Sequence, residues 1–424
     1  MTTSPNTGCG TTPGLGGTTP MTTAPVILCI NSGSSSLKFA LYHLGERGES
    51  ALAEGAVERI GLSGGSFRLR AVRTEETVEE AGHFPDHQAA VQTAFVSLEK
   101  LRLPSPDAVG HRIVHGGADH IAPERVESQL LAALRRLVPY APLHLPAEIQ
   151  GIEAVAARFP TLPQVACFDT AFHRHMPELA QRFPLPRSFW DEGVRRYGFH
   201  GLSYEYIVSQ VGAATLGHAV IAHLGNGASM VAVQHGRPLD TTMGFTPTGG
   251  FMMGTRAGDL DPGLLIHLLT AKGYDAPQLE RLVNHESGLL GVSGSSPDMQ
   301  TLLERRDSDD HAAQAVDMFC YQLRKSVAAL TAVLGGLDTL VFTGGIGEHA
   351  APVRWDVCGG LAYLGIQLDP RLNARHAEVI STPQSHCTVR VVPTNEDLMV
   401  ARHTRTLLFS AASPAAEVCN GQPE

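Results

Sequence analysis

The sequence predicts an α/β protein made of two similar domains, and three observations carry that prediction. The chain has 424 residues, more than one ordinary hydrophobic core holds. Short β-rich runs alternate along it with amphipathic helical stretches, the pattern of sheets covered by helices. Two strand, small-residue loop, strand units, Val26–Tyr42 and Ala219–Val233, recur roughly 190 residues apart, as a duplicated domain would repeat them.

The opening stretch, MTTSPNTGCGTTPGLGGTTPMTTAP, is almost wholly Thr, Gly, Pro and Ser. It has too little to bury to offset its ordering entropy, so residues 1–24 are expected to be disordered, with Met21 an alternative start. Residues 411–424 read as a second flexible tail. The first basic residue is Lys38 and no apolar run reaches the length of a membrane helix, so a soluble, cytoplasmic protein is expected. Seven scattered cysteines with no Cys-x-x-Cys pair fit a reducing compartment and give no zinc or redox signature. A net charge of -10 with no basic run argues against a nucleic-acid partner.

The first unit, VILCINSGSSSLKFALY, sets Gly33 and four serines between two apolar strings. Hydroxyls, Asn31 and Lys38 offer donors there to an anion, although the spacing is not that of the Gly-x-x-x-x-Gly-Lys-Ser/Thr loop. In GHRIVHGG, Arg112 stands between His111 and His115 ahead of a glycine pair. CFDTAFH ends an apolar run with Asp169, a strand-end carboxylate suited to magnesium. RRYGFHGLSYEY carries His200 after an aromatic. HLGNGAS supplies His223, Gly225, Asn226 and Gly227 in the second unit, and MGTRAGDLDPG sets Arg256 in a glycine-rich loop before Pro262 opens a helix. Val316, Phe319, Cys320, Leu323, Val327, Leu330 and Leu334 share one helical face stopped by Gly335 and Gly336. TGGIGEH adds a third glycine turn, and TNEDLMVAR puts Glu396 in the first turn of the last helix behind a Thr394 or Asn395 cap. Each motif alone reads equally as a solvated turn or a cap; three glycine loops leaving strands favour a nucleotide, and two arginines in such loops suit a carboxylate and a phosphoryl group.

From Val26 to Phe409 these motifs, in this order, resemble the acetate kinase family of the acetate and sugar kinase, chaperone ATPase and actin superfamily. The resemblance implies duplicated actin-like (ribonuclease H-like) domains around an ATP cleft, with residues 25–168 plus 397–410 as the first domain and 169–396 as the second, nucleotide-binding one. It implies reversible, Mg²⁺-dependent phosphoryl transfer between ATP and acetate (Mn²⁺ being the alternative ion), and a homodimer. By the same resemblance Arg112, Asp169, His200 and Arg256 are catalytic, His200 and Arg256 stabilising the transition state. Val114, Leu143, Phe199 and Pro247 form with Arg112 the acyl slot. Lys38, His223, Gly225, Asn226, Gly227, Asp298, Gly344, Gly345, Ile346 and Gly347 bind the nucleotide, and Asn31, Asp169 and Glu396 the metal. A carboxylic acid with a pKa of about 4 is already an anion at neutral pH and needs no general base, only relief of repulsion.

The sequence departs from the family pattern in four places. Leu202 and Tyr204 replace a usual Thr and His, Leu145 an asparagine, Thr248–Gly250 a Leu-Glu-Gly, and Gln300 an arginine near the nucleotide. The first three are expected near the acyl and phosphoryl region, which leaves acyl chain length open. The rival readings are a propionate or butyrate kinase, a sugar kinase of the superfamily using Asp169 as base, and a nucleotide-gated binding protein.

Overall fold

Thirteen strands form two sheets in the computed structural model, which describes Met1 and residues 24–45 and 48–410. The extension expected over residues 1–24, with Met21, and the tail expected over 411–424 fall outside the described residues, save Met1 and Ala24. The first sheet holds β1 (Val26–Gly33), β2 (Ser36–Gly45), β3 (Gly48–Glu58), β4 (Gly65–Ala71), β5 (Thr77–Gly82), β6 (Ala108–Ile113), β7 (Glu124–Arg125) and β8 (Gln164–Phe168). The second holds β9 (His218–Leu224), β10 (Ala228–Gln234), β11 (Arg237–Thr241), β12 (Thr339–Thr343) and β13 (Thr388–Val391). The helices that matter to the site are α1 (Leu145–Arg158), α2 (Gly201–Val211), α3 (Pro262–Ala271), α4 (Met299–Arg305), α5 (Asp310–Leu334), α6 (Gly344–His349) and α7 (Glu396–Phe409).

The duplication expected from the two hairpins is visible in the pairing. Neighbours β3, β2, β1, β6 and β8 repeat as β11, β10, β9, β12 and β13, with two antiparallel pairings followed by two parallel ones in each sheet. Parallel strands need both faces covered, and β1 shows how. Val26, Leu28 and Ile30 enter one core with Ala154 and Val155 of α1. Ile27 and Cys29 enter the opposite core with Met399, Val400 and Ala401 of α7, as the two-residue side-chain period requires. The last helix therefore returns to the first sheet. Its approach depends on Gly110, where a Cβ would sit 2.5 Å from Val400 Cγ1 and from Thr404 Oγ1.

Helix α5 carries the predicted apolar stripe: all seven of its residues are buried. Asp309 caps its start by accepting from the His311 and Ala312 amides, and Gly335 ends it in the left-handed region at φ 73°.

Two turns differ from expectation. Gly33 pairs with Ser36, so the first loop is only Ser34–Ser35. Ser32 turns instead toward α1, where a Cβ on Gly151 would lie 2.4 Å from its Oγ; Asn31 and Lys38, paired across β1 and β2, reach the cleft, with Phe39, Ala40 and Tyr42 further along β2. The stretch TGGIGEH is not a turn but α6 itself, starting directly after β12 with Gly344 at φ 76° against the Leu224 backbone.

Candidate active site

Parallel pairing of β6 with β8 sets Arg112 opposite Cys167, so Arg112, a strand residue and not a loop one, comes level with Asp169 just past the end of β8. Its Nη2 donates to Asp169 Oδ2 at 2.7 Å and its Nε to both carboxylate oxygens at 3.2 Å. Glu396, the first residue of α7, lies 3.3 Å from the same Nε. Burial pushes the Asp169 carboxyl up and Arg112 pulls it back; burial opposes the Arg112 charge too, but Asp169 and Glu396 hold the guanidinium above its ordinary range. The bidentate contact keeps the pair ionised. His111, on the other face of β6, bonds Gln164 at 2.7 Å and takes no part.

His200 sits at the start of α2 with φ 59°, a left-handed conformation that is uncommon outside glycine. The next residue holds it there: the Gly201 amide donates to the Asp169 carbonyl at 2.9 Å, and a Cβ at Gly201 would come within 2.1 Å of that oxygen. The imidazole stacks on that of His223 with centroids 4.2 Å apart and planes 17° apart. Burial, then the neighbouring imidazole and the two arginines, draws His200 well below its ordinary pKa; burial and Arg112 draw His223 down to about 4. Both rings are neutral at pH 7.

The loop Gly225–Gly227 closes the turn between β9 and β10 beneath them. A Cβ on Gly227 would lie 3.3 Å from Arg256 Nη1 and 3.6 Å from His200 Nε2, so both groups converge on its Cα. Arg256 is steered there by its own loop. Its Nη1 donates to the Pro247 carbonyl at 3.1 Å, and the Gly254 amide donates to Asn226 O at 3.1 Å. Among the described residues no carboxylate pairs with Arg256.

Asn31, Lys38, Arg112, His200, His223 and Glu396 line a cavity of about 960 Å³. A second, of about 820 Å³, adjoins it through Gly225, Asn226 and Gly345 and is lined further on by Asp298, Gln300 and Ile346. Gly344 lines the first. Asp298 caps α4 by accepting from the Thr301 amide, while Gln300 donates to Glu304 at 3.1 Å and brings no cation.

Asp169, Arg256, Val114, Leu143, Phe199 and Pro247 are not among the residues that line these two cavities, although Arg256 reaches Gly227, which lines the first. Gly347 lies outside both as well: it packs on Phe342, and its carbonyl accepts from Arg354 at 2.7 Å.

With this geometry in place, the family model described as the acetokinase family matches residues 26–402. The chain belongs to the acetokinase family. An acetate kinase of Rhodopseudomonas palustris is 46% identical over 391 residues, covering 89% of this chain and 97% of that protein. The crystal structure of Porphyromonas gingivalis acetate kinase matches with a TM-score of 0.82 and 39% identity, over 91% of this chain and 100% of that one. A propionate kinase from Francisella tularensis matches with a TM-score of 0.84 and 34% identity, over 89% and 98%. The duplicated actin-like fold and the kinase reading of the sequence both stand on these likenesses.

Within this acetokinase chain, sequence reasoning missed two residues on either side of Leu145. His144, just before α1, is drawn down to about 4 by burial and by Arg256 and Arg112 beside it, and its Nδ1 is buried without a partner. Glu148, one turn into α1, accepts from the Val114 amide at 3.2 and 3.3 Å, and burial pushes its carboxyl up to about 8. No motif announces a buried carboxyl; only the packing does. One expected location also needs correcting. Leu202 does not face the acyl region but fills the core beneath α7, whereas Leu145 shares a core with Val114 and Phe199.

Proposed function

We propose that this acetokinase is an ATP:acetate phosphotransferase, in which an acetate oxygen attacks the γ-phosphorus in line, the bond to the ADP oxygen breaks, and acetyl phosphate leaves; the reverse uses the same groups. The observation that carries the choice of acceptor is the state of Asp169. Doubly engaged by Arg112 and 1% exposed, it is not a free base for a sugar hydroxyl, whereas Arg256, with no carboxylate of its own, suits an anion that needs none.

In this reading Arg112 and Arg256 bind the carboxylate and the equatorial phosphoryl oxygens, and His200 donates to that phosphoryl group. Val114, Leu143, Phe199 and Pro247 take the methyl group. Lys38, His223 and Gly225–Gly227 hold phosphates, with Gly344, Gly345 and Ile346 toward the base, Gly347 behind them, and Asp298 toward the ribose. Asn31 and Glu396 would hold Mg²⁺ or Mn²⁺, with Asp169 behind them. Among the described residues no cluster of three or more metal-binding side chains occurs, and a two-oxygen set fits an ion that keeps its waters and phosphates. When bound, the ion neutralises charge on the nucleotide phosphates.

The test is acyl phosphate formation from ATP and Mg²⁺ with acids from formate to butyrate, trapped by hydroxylamine. The expected yield peaks at acetate. A peak at propionate or butyrate moves the chain to that class of kinase, and no product with any acid, in protein that binds ATP, overturns the reading.

The sheets support the domain division 25–168 with 397–410 against 169–396. A homodimer gives α3 a partner: none of its residues is buried, and Leu264, Ile266 and Leu269 are 44%, 59% and 44% exposed. Light scattering at twice the chain mass, falling to one mass in Ile266→Asp, is the expected result. Among the described residues no helix is long and apolar enough to cross a membrane. Dependence on ATP, with five free cysteines among the described residues, favours the cytoplasm.

A further inference from the structure

His200 and His223 face the cleft as neutral rings, and a neutral imidazole donates from one nitrogen only. Which nitrogen carries the proton is settled by what the other one meets. His200 Nδ1 lies 2.8 Å from Ser229 Oγ, and Ser229 Oγ lies 2.5 Å from the Tyr204 hydroxyl. Tyr204 and Ser229 are completely buried, and among the described residues neither hydroxyl has another side-chain or backbone partner.

Two protons must therefore be placed in a closed chain of three groups. If His200 Nδ1 carried the hydrogen, Ser229 would accept from it. The two hydroxyls would then have only each other as acceptors, and one O–H would be left unpaired in a dry interior, at a cost of about 1–3 kcal/mol. If Tyr204 donates to Ser229 and Ser229 donates to Nδ1, every proton is satisfied. The hydrogen of His200 is then on Nε2, the atom beside Gly227 and Arg256.

The stacked partner is arranged alike by different residues. Thr394 Oγ1 donates to Ser203 Oγ at 2.8 Å, and Ser203 Oγ lies 2.8 Å from His223 Nδ1. This places the His223 hydrogen on Nε2, near Gly225.

We propose that Tyr204 is a positioning residue for phosphoryl transfer: acting through Ser229, its hydroxyl fixes the tautomer in which His200 presents Nε2–H to the phosphate loop. Tyr204 is one of the places where this chain departs from its family's pattern, and a phenol is well suited to the end of such a chain because it donates more readily than it accepts. The inference rests on the role given to His200 above.

The experiment compares Tyr204→Phe with His200→Ala, each in the full chain and each checked by thermal unfolding. Phenylalanine keeps the ring and removes only the donor. The expected result for Tyr204→Phe is a kcat about tenfold lower, KM for ATP and acetate within twofold of the parent, and a ¹⁵N histidine spectrum in which the His200 Nε2–H signal gives way to a tautomer mixture. Ser229→Ala should show the same spectral change. An unchanged His200 signal and kcat in a folded Tyr204→Phe protein, while His200→Ala is badly impaired, overturns the role of Tyr204 and leaves that of His200. Normal turnover in His200→Ala overturns the reading on which the inference rests, whatever the spectrum shows.

Discussion

Arg256→Ala is expected to lower kcat on the order of 10³-fold, about 4 kcal/mol of transition-state stabilisation, while leaving the unfolding temperature nearly unchanged. The two halves of that result have separate causes. The guanidinium stands over Gly227 beside His200 Nε2, where the proposed reaction develops charge on the transferring group, so on that proposal its loss falls on the chemical step. It has no carboxylate partner among the described residues and bonds the Pro247 carbonyl, so no buried charge is orphaned by removing it. Arg256→Lys restores charge but not the fork that serves carbonyl and phosphoryl oxygen together, and recovers only part of the rate. A folded alanine variant within tenfold of parental turnover would remove Arg256 from the role.

The second large effect is acid destabilisation. Burial, the main cause in each case, draws His111, His115, His144, His173 and His223 down to about 4, and His200 well below its ordinary value. An unfolded histidine titrates near 6.5. Between about pH 4 and 6.5 the unfolded chain therefore binds protons that the folded chain refuses, and unfolding free energy falls as pH falls. Each such group adds up to about 1.4 kcal/mol per pH unit to the slope. Four carboxyls act in the opposite sense: burial raises Asp397 to about 6 and Glu148 to about 8 and pushes Asp169 and Asp240 up as well, so each loses its contribution as pH rises through its raised value. With His175 and His376 also drawn down, eight histidines outweigh four carboxyls on the acid side. Thermal unfolding from pH 4 to 9 should show a maximum near neutrality, a steep acid limb and a shallow alkaline one. A flat profile between pH 4.5 and 6.5 would show that these histidines ionise in the folded state.

Most of the fold was legible because its signals are local. The stripe on α5 needs only a helical period and a glycine stop, and Pro262 and Asn395 mark their helix starts as their chemistry dictates. The glycine-rich stretches were less legible. NSGSSS reads as a long loop until the pairing of Gly33 with Ser36 is known, and TGGIGEH reads as a turn although contacts with β9 and β12 make it α6. The site divides the same way. Residues in dense motifs, such as Arg112, Asp169, His223 and Asn226, stand out as candidates in the sequence, while His144 and Glu148 do not because their properties come from what surrounds them. Tyr204 was noticed only as an oddity. Its partner Ser229 is 25 residues away and belongs to a strand whose letters give no hint of the contact.

Helix α7 gives the assembly of the molecule a timetable. It contributes Glu396 to the cleft and the covering layer to β1, and Asn395 accepts from Tyr42 across 353 residues of sequence. A chain emerging from the ribosome has its β1–β2 hairpin almost at once, yet one face of β1 lacks its α7 cover until nearly four hundred residues have been made. A chain that stops short of α7 lacks both Glu396 beside Arg112 and the layer over Ile27 and Cys29. Until that layer arrives the Ile27 and Cys29 side of the sheet is an uncovered apolar patch, which is what physically separates an unfinished molecule from a complete one.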